Sequence, residues 1–270
     1  MLNSSTTVGF IKITFSLHAK IIELEKIKVG AVSYLNTKPL LFGIKQSQQL
    51  LQRIELVEDY PANIAEMLIK NEIDVGLVPV AVVAALNEWH IVSDFCIGAE
   101  DEVASVCLFS DVPVEEIKFV LLDYESKTSV LLCKLLFKNF WKKEVVFFDA
   151  KENFENGIKN FTAAIMIGDK ALKQRKKNKY VYDLAAAWKN FTGLPFVFAA
   201  WIANKNLPAD FIALFNAANA EGLKHIDDVI AANYFESYDL KTYFTKNISY
   251  ILNTEKIEGM NLFLQMSEGL

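Results

Sequence analysis

Three short polar stretches in an otherwise apolar chain carry the residues best suited to chemistry. The first, SYLNT (33–37), interrupts an apolar run with Ser33, Tyr34, Asn36 and Thr37, and Pro39 follows it. The second, DYESKTS (123–129), gathers the hydroxyls of Ser126, Thr128 and Ser129, and the third, IGDKAL (167–172), pairs Gly168 with Asp169. Each follows a strand-like run and precedes a helical pattern. A helix N-terminus after a strand offers free N–H donors and the positive end of the helix dipole, so such turns can hold a carboxylate or phosphate. Plain helix capping by Asn36, Thr37 or Asp169 is the alternative. In the second turn capping accounts for one hydroxyl, not three.

Ser105 and Val106 open a fourth stretch, ASVCLFS (104–110). A serine at the start of a strand either faces a cleft or bonds to backbone at a strand edge. The histidines, His18, His90 and His225, lie outside all of these stretches, which disfavours a histidine triad or a histidine-rich metal site. Neither GxxxxGK[ST] nor GxGxxG occurs, so the strongest signatures of nucleotide binding are missing. The basic run KQRKKNK (173–179) reads as a solvated surface loop, because no aromatics interleave it.

The elements that would position these turns alternate in two similar series. Residues 27–32 read as a strand, 39–46 as a helix, 54–57 as a strand, 61–71 as a helix and 73–78 as a buried strand, which is the βαβαβ order of a parallel sheet. The order recurs with strands at 118–122, 145–148 and 163–167 and helices at 128–141 and 151–159. Two strand-like runs, ASVCLFS and FVFAAWI (196–202), would carry the chain between the two lobes, and the region beyond reads as helical at 208–223, 239–245 and 254–266. The expected organisation is an extension over 1–25, one lobe from 26–108 with 200–270, and a second lobe over 109–199. A cleft between the lobes, at the carboxyl ends of the strands, is then the natural ligand site.

Composition agrees with a small-molecule protein. The 270 residues are 52% hydrophobic, enough for a large core, and 28 basic against 33 acidic residues leave no basic footprint for nucleic acid. Cys96, Cys107 and Cys133 sit in apolar runs without CxxC spacing and read as buried hydrophobes in a reducing, cytoplasmic setting. Apolar stretches such as 73–86 are broken by Asp, Gly and Pro and fall short of a membrane span. The first 25 residues lack the charge pattern and cleavage site of a signal peptide.

Read together, VSYLNTKPLLFG (32–43), DVGLVPVA (74–81), ASVCLFS, the region 122–132, IGDKAL and YDLAAAWKNFTGLPFVFAAW (182–201) resemble the menaquinone-biosynthesis family of the futalosine pathway, and within it the enzymes that dehydrate chorismate. The resemblance implies a type 2 periplasmic-binding-protein-like α/β fold, two lobes with parallel or mixed sheets joined by two crossing strands, and a helical C-terminal region. It implies removal of water from chorismate to give 3-[(1-carboxyvinyl)oxy]benzoate, without cofactor or metal. The substrate's own enolpyruvyl carboxylate would take the proton. Carried over by position, Asn36 and Ser105 become the catalytic candidates; Ser33, Tyr34, Thr37, Val106, Ser126, Thr128, Ser129, Gly168 and Asp169 become the substrate-binding ones. The acidic residues Glu100, Asp101 and Glu102 must then stand clear of an anionic substrate. A sister enzyme that cyclises dehypoxanthine futalosine would need a placed histidine, and a transporter's solute receptor would need an export signal.

Overall fold

A computed structural model of the chain describes residues 25–123, 127–150, 153–268 and 270. Ser126, most of the N-terminal extension and the first two residues of the helix expected at 151–159 lie outside the described residues.

The chain begins with β1 (Ile27–Val32), α1 (Lys38–Gln46), α2 (Gln48–Leu51), β2 (Ile54–Asp59), α3 (Pro61–Ile69), β3 (Val75–Pro79) and β4 (His90–Ala99). It continues through β5 (Val106–Ser110), β6 (Phe119–Leu122), α4 (Lys127–Asn139), β7 (Val146–Asp149), β8 (Thr162–Ile167), α5 (Gly168–Gln174) and β9 (Tyr180–Asp183). The last part holds α6 (Leu184–Thr192), β10 (Phe196–Ala203), α7 (Ala209–Lys224), α8 (Ile226–Ala232), α9 (Leu240–Thr242), β11 (Ser249–Ile251) and α10 (Thr254–Ser267). Pro39 and Pro61 each stand in the first turn of their helix, where a missing N–H costs nothing.

These strands form two mixed sheets. The first has the order β11-β4-β10-β3-β1-β2 and the second β7-β6-β8-β5-β9. β1 runs parallel to β2 and β3, and β6 runs parallel to β7 and β8. The all-apolar run VGLVP of β3 is buried along its whole length, as a central strand covered on both faces requires.

The chain passes between the sheets twice. Residues 100–105 lead from β4 into β5, and α6 leads from β9 back to β10. ASVCLFS and FVFAAWI thus stand where the chain enters each sheet. Val106 pairs with Ile167 in the second sheet and Phe196 with Ala99 in the first, so both strands lie whole in one sheet. The lobe boundaries expected after residues 108 and 199 therefore cut through β5 and β10, and the true crossings fall several residues earlier.

Two further expectations need correction. The helix expected over 151–159 is, in its described part, a single 3-10 turn at Phe154–Gly157, entered through Asn153 in the left-handed region at φ 59°. The polar sequence NFENG offers no apolar stripe to bury. The C-terminal region is not wholly helical: the three residues of β11 pair with β4, too short a run to register as alternation.

α1 and α7 approach more closely than side chains would permit. A Cβ added at Gly222 would lie 2.0 Å from the Pro39 carbonyl oxygen, and one at Gly43 would lie 1.9 Å from the Ala218 carbonyl oxygen. Both obstacles are backbone, so only movement of a whole helix relieves them. Because α1 begins at the SYLNT turn, this contact sets the position of Asn36. Gly222→Ala is expected to lower stability by about 1–3 kcal/mol, measured by urea unfolding, through overpacking at this crossing.

Candidate functional site

A small cavity of about 60 Å³ lies between the two sheets. Val32, Leu77, Pro79, Ile97 and Phe198 wall it from the first sheet and its connections, and Val106 and Ile167 from the second. Of the residues singled out in the sequence, Tyr34, Asn36, Thr37, Val106, Ser129 and Gly168 line it. Polar groups are thus few and set in apolar walls, the usual arrangement of a small-molecule site. Its volume is well below the several hundred Å³ typical of such sites, so a ring-sized ligand requires the walls to part.

The first and third turns meet across this cavity. The Leu35 N–H donates to Asp169 Oδ1 at 3.4 Å, and the ring of Tyr34 lies so near Gly168 that an added Cβ would stand 3.3 Å from it. Gly168 has φ +59°, a conformation that a side chain resists, so glycine is required there on two counts. Burial raises the pKa of the Asp169 carboxyl, while the Leu35 N–H, Lys173 and Lys38 pull it down.

The other singled-out residues that the structure describes, Ser33, Ser105, Thr128 and Asp169, do not line the cavity. Ser33 is exposed. Thr128 is fully buried and its Oγ1 accepts a bond from the Ala81 N–H at 3.1 Å, so its hydroxyl ties α4 to the segment after β3. Ser105 is 1% exposed, and its Oγ has no hydrogen-bond partner among the described residues. In the first turn, the Thr37 hydroxyl donates to Asn36 Oδ1 at 3.2 Å and makes no cap bond to α1, so capping does not explain that threonine.

Ser105 is held by a strained turn. Ala104, fully buried, has φ 64°, which is unfavourable for a residue with a Cβ. The Asp183 carboxylate accepts the N–H groups of Val103 at 3.2 Å and Ala104 at 2.7 Å, while capping α6 through Ala185 at 3.0 Å and Ala186 at 3.2 Å. Arg175 donates to the Ala104 carbonyl at 3.1 Å and stands 3.8 Å from Asp183. The Ser105 carbonyl in turn accepts the Gly168 N–H at 2.8 Å, linking this turn to the start of α5. Burial pushes the Asp183 carboxyl up to about 6 against the pull of these donors, which leaves it ionised at neutral pH.

The basic run at 173–179 is not a solvated loop throughout. Arg175 is the clamp just described, and Lys173 and Lys177 join Lys170, Tyr34, Tyr60 and Phe154 around a larger cavity of about 720 Å³. Tyr34 belongs to both cavities and stands between them. The signal missed in the sequence was the helical phase: α5 extends to Gln174 and sets Lys170 and Lys173 on one side, and the turn that follows it brings Lys177 to the same cavity.

The acidic stretch stands apart. Glu100, Asp101 and Glu102 are exposed and line neither cavity. Glu100 pairs with Lys256, which is buried and also donates to Ser249 Oγ and the Ile251 carbonyl, each at 2.8 Å. His90 and His225 bond to neighbouring acidic side chains and line neither cavity. Among the described residues no helix is long and apolar enough to cross a membrane.

Two mixed α/β sheets with a cavity between them define a protein of the periplasmic-binding-protein-like fold. The fold matches an Archaeoglobus fulgidus protein solved by X-ray crystallography at TM-score 0.71 and 14% identity, covering 90% of this chain and 97% of that one. It also matches a Candida albicans protein described as having the generic periplasmic binding protein fold, at TM-score 0.65 and 14% identity over 92% and 91% of the two chains. The menaquinone-biosynthesis family model matches residues 27–268, and the chain belongs to that family. A chorismate dehydratase from Thermus thermophilus is 27% identical over 227 residues, 76% of this chain and 80% of that protein.

Replacing Asp183 by Asn turns an N–H donor toward one of four backbone N–H groups. Asp183→Asn is expected to lower stability by about 1–3 kcal/mol at pH 7, read from denaturant midpoints.

Proposed function

We propose that the protein dehydrates chorismate to 3-[(1-carboxyvinyl)oxy]benzoate as a step of menaquinone biosynthesis. The observation that carries this reading is the convergence of Asn36, Thr37, Val106, Ser129 and Gly168 on one apolar-walled cavity, in a chain whose relative of that name aligns over most of its length. Apolar walls suit a six-membered ring, and hydroxyl, amide and backbone N–H groups suit its carboxylates without a buried cation.

The reaction breaks the C3–H and C4–O bonds of the ring and forms the C3–C4 double bond that completes the aromatic system. The enolpyruvyl carboxylate of the substrate itself takes the C3 proton and hands it to the C4 oxygen, which leaves as water. Aromatisation supplies the driving force, so the protein's task is to fix the reactive conformation and stabilise charge as it develops. Asn36 at the cavity wall orients the substrate through its side-chain amide. The Ser105 hydroxyl, behind that wall at the strained turn, donates to the carboxylate or to the departing oxygen once the cavity widens. Lys170, Lys173 and Lys177 around the larger cavity attract a dianion toward the opening.

Purified protein incubated with chorismate is expected to deplete the diene absorbance and yield the product mass; no turnover overturns the reading. Asn36→Ala and Ser105→Ala should each lower kcat/KM by about 10²-fold with folding retained. Lys173→Ala should raise KM several-fold at low ionic strength with kcat little changed, and the difference should shrink in about 1 M salt.

A further inference from the structure

The C-terminal segment, for which the sequence pattern offered only a helix, reaches both of the proposed catalytic residues. Residues 243–247, YFTKN, form one turn of π-helix between α9 and β11, a rare geometry that recurs at functional sites. Tyr243 is fully buried there, and its hydroxyl has no hydrogen-bond partner. Its ring meets that of Tyr238 at 6.2 Å between centroids, and Tyr238 lies under Arg175, 5.9 Å away, which holds the Ala104 carbonyl next to Ser105; in keeping with that placement, the Ser105 hydroxyl pulls the Tyr243 pKa down against burial, although the pair falls outside hydrogen-bond geometry. Seven residues on, the Tyr250 hydroxyl donates to the Asn36 carbonyl at 2.9 Å. Between them, Asn247 donates to the Glu102 carbonyl at 3.3 Å and accepts from the Tyr238 hydroxyl at 3.1 Å, fixing the segment on the same crossing that carries Ser105.

Two adjacent buried hydroxyls, each without a partner, are an unusual pair. Buried polar groups are almost always bonded, and an orphan is costly enough to need a reason. Nothing in the packing requires these oxygens, since phenylalanine has the shape of tyrosine and alanine nearly that of serine.

We propose that Tyr243 is a positioning residue for Ser105: its hydroxyl donates to Ser105 Oγ when ligand is bound, turning the Ser105 O–H toward the substrate oxygen. A hydroxyl that accepts one bond while donating another is a stronger donor than either alone, because the two bonds polarise each other. The π-helix fixes the Tyr243 hydroxyl from the first sheet's side, and the Asp183–Arg175 clamp fixes Ser105 from the second. The pair therefore aligns only when the crossing and the C-terminal segment are in register. This role rests on the dehydratase reading for its kinetic consequences but not for its effect on stability.

The test uses the full chain with Tyr243→Phe, Ser105→Ala and the double variant, each assayed for chorismate turnover and thermal melting. Tyr243→Phe is expected to lower kcat about tenfold, with KM within about twofold of wild type and a melting temperature equal to or above it. The double variant should be no slower than Ser105→Ala, since Tyr243 acts only through that hydroxyl. Wild-type kcat in Tyr243→Phe, losses that multiply in the double variant, or a loss of kcat that tracks a lowered melting temperature would each overturn the role. Absence of turnover by the wild-type chain defeats the dehydratase reading instead. The melting arm then still decides whether the two hydroxyls are stabilising, which this role forbids.

Discussion

The Asp183 carboxylate is the constraint on which the rest of the site depends. It ends β9, caps α6 and holds the N–H groups of Val103 and Ala104, so one side chain joins the two places where the chain passes between sheets. Four backbone donors on one carboxylate offset part of the desolvation that its burial imposes. The return is geometric: Ala104 stays in a left-handed conformation that an unassisted chain would leave, and Ser105 is held where an ordinary turn would not put it. Arg175 completes the clamp from the far side, bonded to the Ala104 carbonyl. A serine fixed this firmly loses little freedom when it meets a ligand, which is how preorganisation aids catalysis.

The same crossing explains why the site is shared by two sheets. The Ser105 carbonyl accepts the Gly168 N–H, and Asp169 accepts the Leu35 N–H, so strained turn, α5 and SYLNT turn form one continuous chain of contacts. Tyr34 sits at its end, between the small cavity and the larger one that Lys170, Lys173 and Lys177 border. The Leu35–Asp169 bond, at 3.4 Å, is long enough to part, and it is one of the contacts that would have to part for a ring to enter. The lysines that border the larger cavity therefore lie outside the smaller one.

Local pattern made the turns legible and long-range contact hid their setting. Strand β1 spans the expected residues, and α1, β2, α3 and β3 fall within a few residues of theirs, because alternating apolar runs and proline-marked helix starts are local properties. Six of the eleven residues proposed for the site line one cavity for the same reason: they flank strand ends. Thr128 and Ser33 illustrate the limit. A hydroxyl beside a helix start can face a ligand, the solvent or another segment, and only the Ala81 contact decides for Thr128. Arg175 was hidden in a run of like charges, and Asp183 carried no signal of its own, because their partner at Ala104 lies more than 70 residues away. Tyr243 carried no local signal at all; a π-turn follows from packing, not from the sequence YFTKN by itself.

Fold by itself does not separate a catalyst from a receptor, since both close two lobes on a small molecule. The distinction lies in how well the site satisfies itself. A receptor gains affinity from polar groups that are complementary to the bound ligand's ground state. A catalyst gains rate only from groups whose interaction strengthens as charge moves, and such groups are poorly satisfied beforehand. The hydroxyls of Ser105 and Tyr243, both buried and without partners among the described residues, are poorly satisfied in this sense. Clamping one of them with Asp183 and Arg175 and the other with a π-turn prevents the simplest relief, which would be rotation toward a backbone acceptor. The strain at Ala104 and the orphaned oxygens are thus two sides of one arrangement, in which stability is given up locally to hold the Ser105 hydroxyl in one place.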